Sequence, residues 1–148
     1  MINFNTMAEL IQLADEKKLS IHDIVLAREM HTSQRTREAL WKEMQRNWQV
    51  MKESVERGIV NEEHSLSGLT GGDAKKIYEA REKGYTGAAV MAAAAYAVGI
   101  AEVNAVMGRI VACPTAGSCG IVPAAIFAAA QRNKNTEDEI IGALFTAS

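Results

Sequence analysis

Between Thr86 and Met107 the sequence reads T-G-A-A-V-M-A-A-A-A-Y-A-V-G-I-A-E-V-N-A-V-M, and this run constrains the fold more than any other. Alanine is the best helix former and is depleted in strands. The run is therefore expected as a helix. With 48% hydrophobic but only 5% aromatic residues, the core has to be built from aliphatic side chains and alanine. A helix with so little side-chain volume belongs in the middle of a bundle, where Gly87, Gly99 and Gly108 allow close helix approach. Glu102 and Asn104 stand out near its end; each is either satisfied by neighbouring backbone or points into a pocket.

The rest of the chain repeats the helical pattern. Thr6 and Glu9 have the spacing of a capping box, with Met7, Leu10, Ile11 and Ala14 on one face up to Lys17 and Lys18. Ser20 and Asp23 begin a second helix, in which Ile21, Ile24, Val25 and Ala27 supply apolar contacts. His22 and His31 read as surface residues near helix ends. A third, long helix is expected from a cap at Thr32 or Ser33 to a stop at Gly58. Its heptad-like seam of Trp41, Met44, Trp48, Met51 and Val55 would pack against another helix or a partner chain. Asp73 can cap a helix from Ala74 to Lys83, another runs from about Gly120 to Arg132, and Thr136 with Glu139 caps the last. No sustained period-two alternation occurs. The expected fold is all-α, helical and bundle-like, with about six or seven helices and residues 1–148 forming one domain.

Two stretches break this pattern. Asn61 to Lys76, N-E-E-H-S-L-S-G-L-T-G-G-D-A-K-K, replaces the heptad with hydroxyls and glycines. It reads equally as a flexible linker or as a binding loop with Ser65, Ser67 and Thr70 as donors, since its glycine spacing matches neither the P-loop nor the dinucleotide fingerprint. The second runs from Asn104 to Pro123 and holds Pro114, Thr115, Gly117, Ser118 and Gly120. Pro123 places the next helix start near Cys119 or Gly120, because a proline is tolerated only in the first turn. Free amides there would suit a carboxylate or phosphate. Spacing alone favours the plainer alternative, a tight connector between buried helices.

Composition excludes several classes. A net charge of −2 with both signs mixed gives no basic field for nucleic acid. No leader pattern opens the sequence, and the uncharged run Tyr85 to Ala101 is rich in weakly lipophilic Ala and Gly, so neither export nor membrane insertion is expected and a cytoplasmic location follows. Cys113 and Cys119 lack the spacing of a zinc knuckle or a redox pair and read as free thiols. The closing I-I-G-A-L-F-T-A-S shows no stop signal. A fragment or half of a split protein is expected, with Ile140, Ile141, Leu144 and Phe145 exposed for association with a missing half or another copy.

Across nearly its whole length the sequence resembles the α subunit, or α domain, of iron–sulfur-dependent bacterial L-serine dehydratase. The resemblance rests on E-L-I-Q-L-A at Glu9 to Ala14, A-R-E-M at Ala27 to Met30 and W-K-E-M-Q-R-N-W-Q-V-M at Trp41 to Met51. It rests most on L-T-G-G-D-A at Leu69 to Ala74, E-V-N-A-V-M-G at Glu102 to Gly108 and P-T-A-G-S-C-G at Pro114 to Gly120. It implies the N-terminal part of an all-helical catalytic domain that deaminates L-serine to pyruvate and ammonia without pyridoxal phosphate. A four-iron, four-sulfur cluster would act as Lewis acid on the substrate hydroxyl. By the same resemblance Ser65, Ser67, Thr70, Gly71 and Gly72, with Asn104, Pro114, Thr115, Gly117 and Ser118, are substrate-binding. The cluster cysteines are implied beyond residue 148. Such a cluster needs about three protein thiolates and the sequence has two cysteines, so the chain alone is expected to be metal-free and inactive. L-serine, the remaining half of the α domain and a β subunit or domain are the implied partners, and a homo-oligomer is possible. A cysteine desulfidase-like iron–sulfur lyase and a non-catalytic helical interaction module are the alternatives.

Overall fold

A computed structural model of the chain describes residues 2–113 and 115–148. The described residues form seven α-helices and two 3₁₀ turns, with no strand: α1 (Met7–Lys17), α2 (Ile21–Ser33), α3 (Arg37–Gly58), α4 (Asp73–Glu79), α5 (Ala88–Ala105), α6 (Ile121–Asn133) and α7 (Glu137–Ala147). The all-α expectation holds. Two compact units share α3: Met1–Arg46 with Glu137–Ser148, and Asn47–Thr136.

In the first unit the capping box forms, with Thr6 Oγ1 accepting from the Glu9 amide at 3.2 Å and Glu9 reaching back to the Thr6 amide. Ser20 caps α2 through the Asp23 amide. The cap of α3 differs from expectation. Thr32 and Ser33 belong to the last turn of α2, where their hydroxyls donate to the Arg28 and Glu29 carbonyls; Gln34 then turns left-handed, and Thr36 caps α3 through the Ala39 amide. The helix starts one turn late because Thr32 and Ser33 are still inside α2, which ends only at the left-handed Gln34.

The exposed face expected on α7 is likewise overturned. Ile141, Leu144 and Phe145 are buried, α7 packs on α2, and Phe145 stacks on Trp41 with ring centroids 5.8 Å apart. Gly142 makes this packing close: a Cβ there would lie 3.1 Å from His22 Nδ1. His22 is therefore a half-buried packing residue, whereas His31 is exposed as expected.

The second unit is built on α5, which packs against α4 and α6. By length and composition α5 could cross a membrane; here Tyr96, Ile100 and Val103 are buried in the unit's core. Tyr96 meets Phe127 edge-to-face at 5.1 Å and donates to Gln131 Oε1 at 2.8 Å. Burial, then the neighbouring Tyr78, pushes its phenol up to about 12. The seam of α3 is packed within the chain, with Trp48, Met51 and Val55 buried and Trp48 against Phe127. Gly99 gives the close approach predicted for it, and its partner is Gly58. A Cβ on Gly58 would come within 2.4 Å of the Gly99 backbone, so Gly58 ends α3 as a crossing point rather than as a left-handed stop. The helix of Ala74 to Lys83 is shorter than expected: α4 closes at Glu79 and a 3₁₀ turn covers Arg81–Lys83.

Candidate functional site

Ser65, Ser67, Thr70, Gly71 and Gly72 form one structured loop rather than a flexible linker. The Ser65 amide donates to the Thr70 carbonyl at 2.8 Å and the Gly68 amide to the Ser65 carbonyl at 2.8 Å. Ser65 Oγ accepts from the Thr70 amide and lies 3.1 Å from Ser67 Oγ. Gly68 and Gly72 take φ of 72° and 78°, which L side chains adopt at a cost. Gly71, at φ 142°, lies so close to the preceding backbone that a Cβ would meet the Glu63 carbonyl oxygen at 2.2 Å. Only glycine fits there. The tip of the loop turns Leu66 and Leu69 out to solvent. Its base is held by ion pairs of Arg57 with Glu63 and of Lys75 with Glu62, and the ammonium of Lys75 holds the Glu62 carboxyl below the ordinary glutamate range.

The loop runs into α4, whose start is not capped by Asp73. Asp73 is the first helical residue, Gly72 is the N-cap without a side-chain bond, and the acceptor comes from α5. Glu102 Oε1 takes the Asp73 amide at 2.8 Å and the Ala74 amide at 3.3 Å. Glu102 is 1% exposed, and its Oε2 has no hydrogen-bond partner. Sequence reading found this residue as a polar group in an apolar helix but missed its partners, because they lie 28 and 29 residues back. Asn104, two positions on, is exposed. Beyond it α5 stops on Met107 in the left-handed region at φ 61°, with the Gly108 amide on the Val103 carbonyl at 2.7 Å. The left-handed residue that ends the helix is thus Met107, not a glycine, and Gly108, expected to allow close approach, is pressed against Val103 of the same helix.

Thr115, Gly117 and Ser118 form the second loop; Pro114, predicted with them, lies outside the described residues. A 3₁₀ turn spans Ala116–Ser118. Ser118 Oγ donates to the Cys113 carbonyl at 2.7 Å and accepts from the Thr115 amide at 3.2 Å, with Thr115 Oγ1 at 3.0 Å. Its proton is committed to closing the loop. Thr115 and Gly117 are exposed, and a Cβ on Gly117 would meet only Thr115 Oγ1, at 3.8 Å. Helix α6 then begins at Ile121, with Gly120 as an N-cap lacking any side-chain bond and Pro123 in the first turn, as the proline argument required. A Cβ on Gly120 would strike the Ala97 carbonyl at 2.8 Å, so the joint is pressed against α5. The Arg109 guanidinium pairs with Glu53 at 3.0 Å on the surface, and Ser54 Oγ donates to the Arg109 carbonyl.

Among the described residues no hydrogen bond joins the two loops. They share α5, which Glu102 ties to the first and which Gly120 contacts at the second. Cys113 and Cys119 are both buried and free, and burial pushes the Cys113 thiol up. No group of three or more His, Cys, Asp or Glu side chains is arranged for a metal among the described residues.

Two glycine-bearing loops carried on one central helix, one of them leading to a helix start without a side-chain cap, belong to an all-helical fold. Residues 16–148 match the family described as serine dehydratase alpha chain, and the chain belongs to that family. It is 40% identical over 146 residues to the probable L-serine dehydratase alpha chain of Bacillus subtilis strain 168, covering 97% of this chain and 48% of that relative. It is 36% identical over 130 residues to the L-serine dehydratase alpha chain of Peptoniphilus asaccharolyticus, covering 86% and 44%, and 33% identical over 129 residues to the L-serine dehydratase of Streptomyces coelicolor, covering 83% and 27%. The chain thus spans about half the length of the first two. No solved structure matches it.

Proposed function

We propose that the chain supplies substrate-binding loops to an L-serine dehydratase, a lyase releasing pyruvate and ammonia from L-serine, and that the site is completed by polypeptide of the kind the relatives carry beyond the matched half. One observation carries this reading. The start of α6 has no side-chain cap and follows directly on a loop closed by its own Ser118 hydroxyl. The amides of Ile121 and Val122 are therefore left to an acceptor from outside the helix, and the partial positive charge there favours a carboxylate. Thr115, with its exposed hydroxyl beside Ser118, is the side-chain donor we assign to that carboxylate. Ser118 holds the loop in shape. Ser65, Ser67, Thr70 and the backbone of Gly71 and Gly72 line the same substrate from the first loop, with Asn104 at the end of α5.

The two thiols do not fit the iron–sulfur cluster that the resemblance implies. Both are buried, they are two where about three are needed, and burial disfavours the thiolate form of Cys113. On our reading any cluster ligands come from the rest of the enzyme, and the part of this chain is to bind and orient the substrate.

The test is pyruvate formation by the complete enzyme that carries this sequence. L-serine should be turned over in preference to L-cysteine. Thr115→Ala should lower kcat/KM by the equivalent of about 1–3 kcal/mol, the range for a lost bond to a charged group, and Thr115→Ser should recover most of it. Failure to release pyruvate from serine, or unchanged kinetics in Thr115→Ala, overturns the reading.

A further inference from the structure

Capping a helix start ordinarily takes a Ser, Thr, Asp or Asn at the N-cap itself. At α4 the N-cap is Gly72, and the acceptor is the carboxylate of Glu102 on another helix. A buried carboxylate carries a desolvation cost that a local cap would avoid. That cost is partly offset by two amide bonds at the positive end of a helix, while Oε2 remains without a partner. What the remote cap achieves, and a local one cannot, is to fix α4 and the loop before it on α5. The peptide at Gly72 and Asp73 is pinned at 2.8 Å. Immediately upstream, Gly71 is wedged against the Glu63 carbonyl and Ser65 is clamped to Thr70. Displacement at Asp73 must therefore be transmitted to the whole turn.

We propose that Glu102 is a positioning residue: its Oε1, acting through the Asp73 and Ala74 amides, sets the conformation in which the loop Ser65 to Gly72 meets the substrate. Glu102 does not touch substrate, since it is sealed in the core. The inference rests on the reading that this loop lines the serine site, and its test separates the two.

The unpartnered Oε2 makes Glu102→Gln the discriminating variant, because the amide oxygen can still accept both bonds and the NH₂ replaces an oxygen that makes none. In the complete enzyme, Glu102→Ala should speed amide exchange across residues 65–74 by about ten- to a hundredfold, the equivalent of losing two hydrogen bonds. It should also raise KM for L-serine more than it lowers kcat. Glu102→Gln should restore both. Ser54→Ala, which removes a buried hydrogen bond to Arg109 away from the loop, controls for general loss of stability and should leave exchange in 65–74 unchanged. Exchange in Glu102→Ala no faster than in Ser54→Ala, or Glu102→Gln as disturbed as Glu102→Ala, overturns the proposal. Faster exchange in Glu102→Ala with an unaltered KM upholds the tether and overturns the reading that this loop lines the serine site.

Discussion

The two loops have similar composition, small residues and hydroxyls around glycine, yet they are held differently. Besides its own bonds between Ser65 and Thr70 and between Gly68 and Ser65, the loop Ser65 to Gly72 is fixed from outside, by Glu102 on α5 and by ion pairs at its base, and depends on a glycine with no room for a Cβ. The loop Thr115 to Ser118 is closed from within, by the Ser118 hydroxyl and by the Cys113 and Ser118 amides on the Thr115 carbonyl, and its glycine has open space around it. Similar composition therefore does not mean similar tolerance. Where the constraint comes from a distant element, the backbone itself is crowded. Where it comes from a neighbouring side chain, substitutions around that side chain should matter little.

The sharpest break of this comparison is Gly71→Ala. A backbone contact of 2.2 Å at φ 142° leaves no adjustment of a flexible side chain to relieve it, so unfolding stability should fall by about 3 kcal/mol or more. Denaturant unfolding measures this, and a loss under about 1 kcal/mol would refute the account of the first loop. Ser118→Ala comes next. It removes the hydroxyl that closes the second loop, and about 1–2 kcal/mol should be lost in the same assay, because the Cys113 carbonyl and Thr115 amide lose their partner at a partly exposed site. Gly117→Ala should lie within about 0.5 kcal/mol of the parent; a large loss would mean that the second loop is as crowded as the first.

The smallest effect expected separates the loops by pH. Glu62 at the base of the first loop has its carboxyl held down by Lys75, first through the hydrogen bond and then through charge. A lowered folded-state value means that the stabilisation is present above the ordinary glutamate value of 4.5 and is lost as pH falls through the folded one. Amide exchange in residues 61–72 should quicken on acidification relative to residues 115–120. The effect should shrink in high salt, because the pair is solvent-exposed.

Much of this was legible in the sequence. The capping box at Thr6 and Glu9, the Ser20 cap, the Ala-rich central helix and the start of α6 set by Pro123 all follow from signals within one turn of chain, where a residue's partners are its sequence neighbours. So do the two loops, as breaks in helical periodicity. Misreadings arose where two local options competed, as at Thr32, Ser33 and Thr36, or where the partner was remote, as when α2 and Trp41 cover the apolar face of α7.

By itself, then, the sequence determined an all-α chain, its helix-forming segments and the residue types of both loops, since propensity, capping and periodicity are short-range. Only the tertiary structure decided that Gly58 and Gly99 are a crossing point, that Gly71 admits no side chain, and that Glu102 caps a helix whose own N-cap offers nothing. Each of these depends on two segments meeting across 28 or more residues of chain or on crowding of backbone against backbone. Such meetings are set by how the helices pack, and no local pattern encodes them.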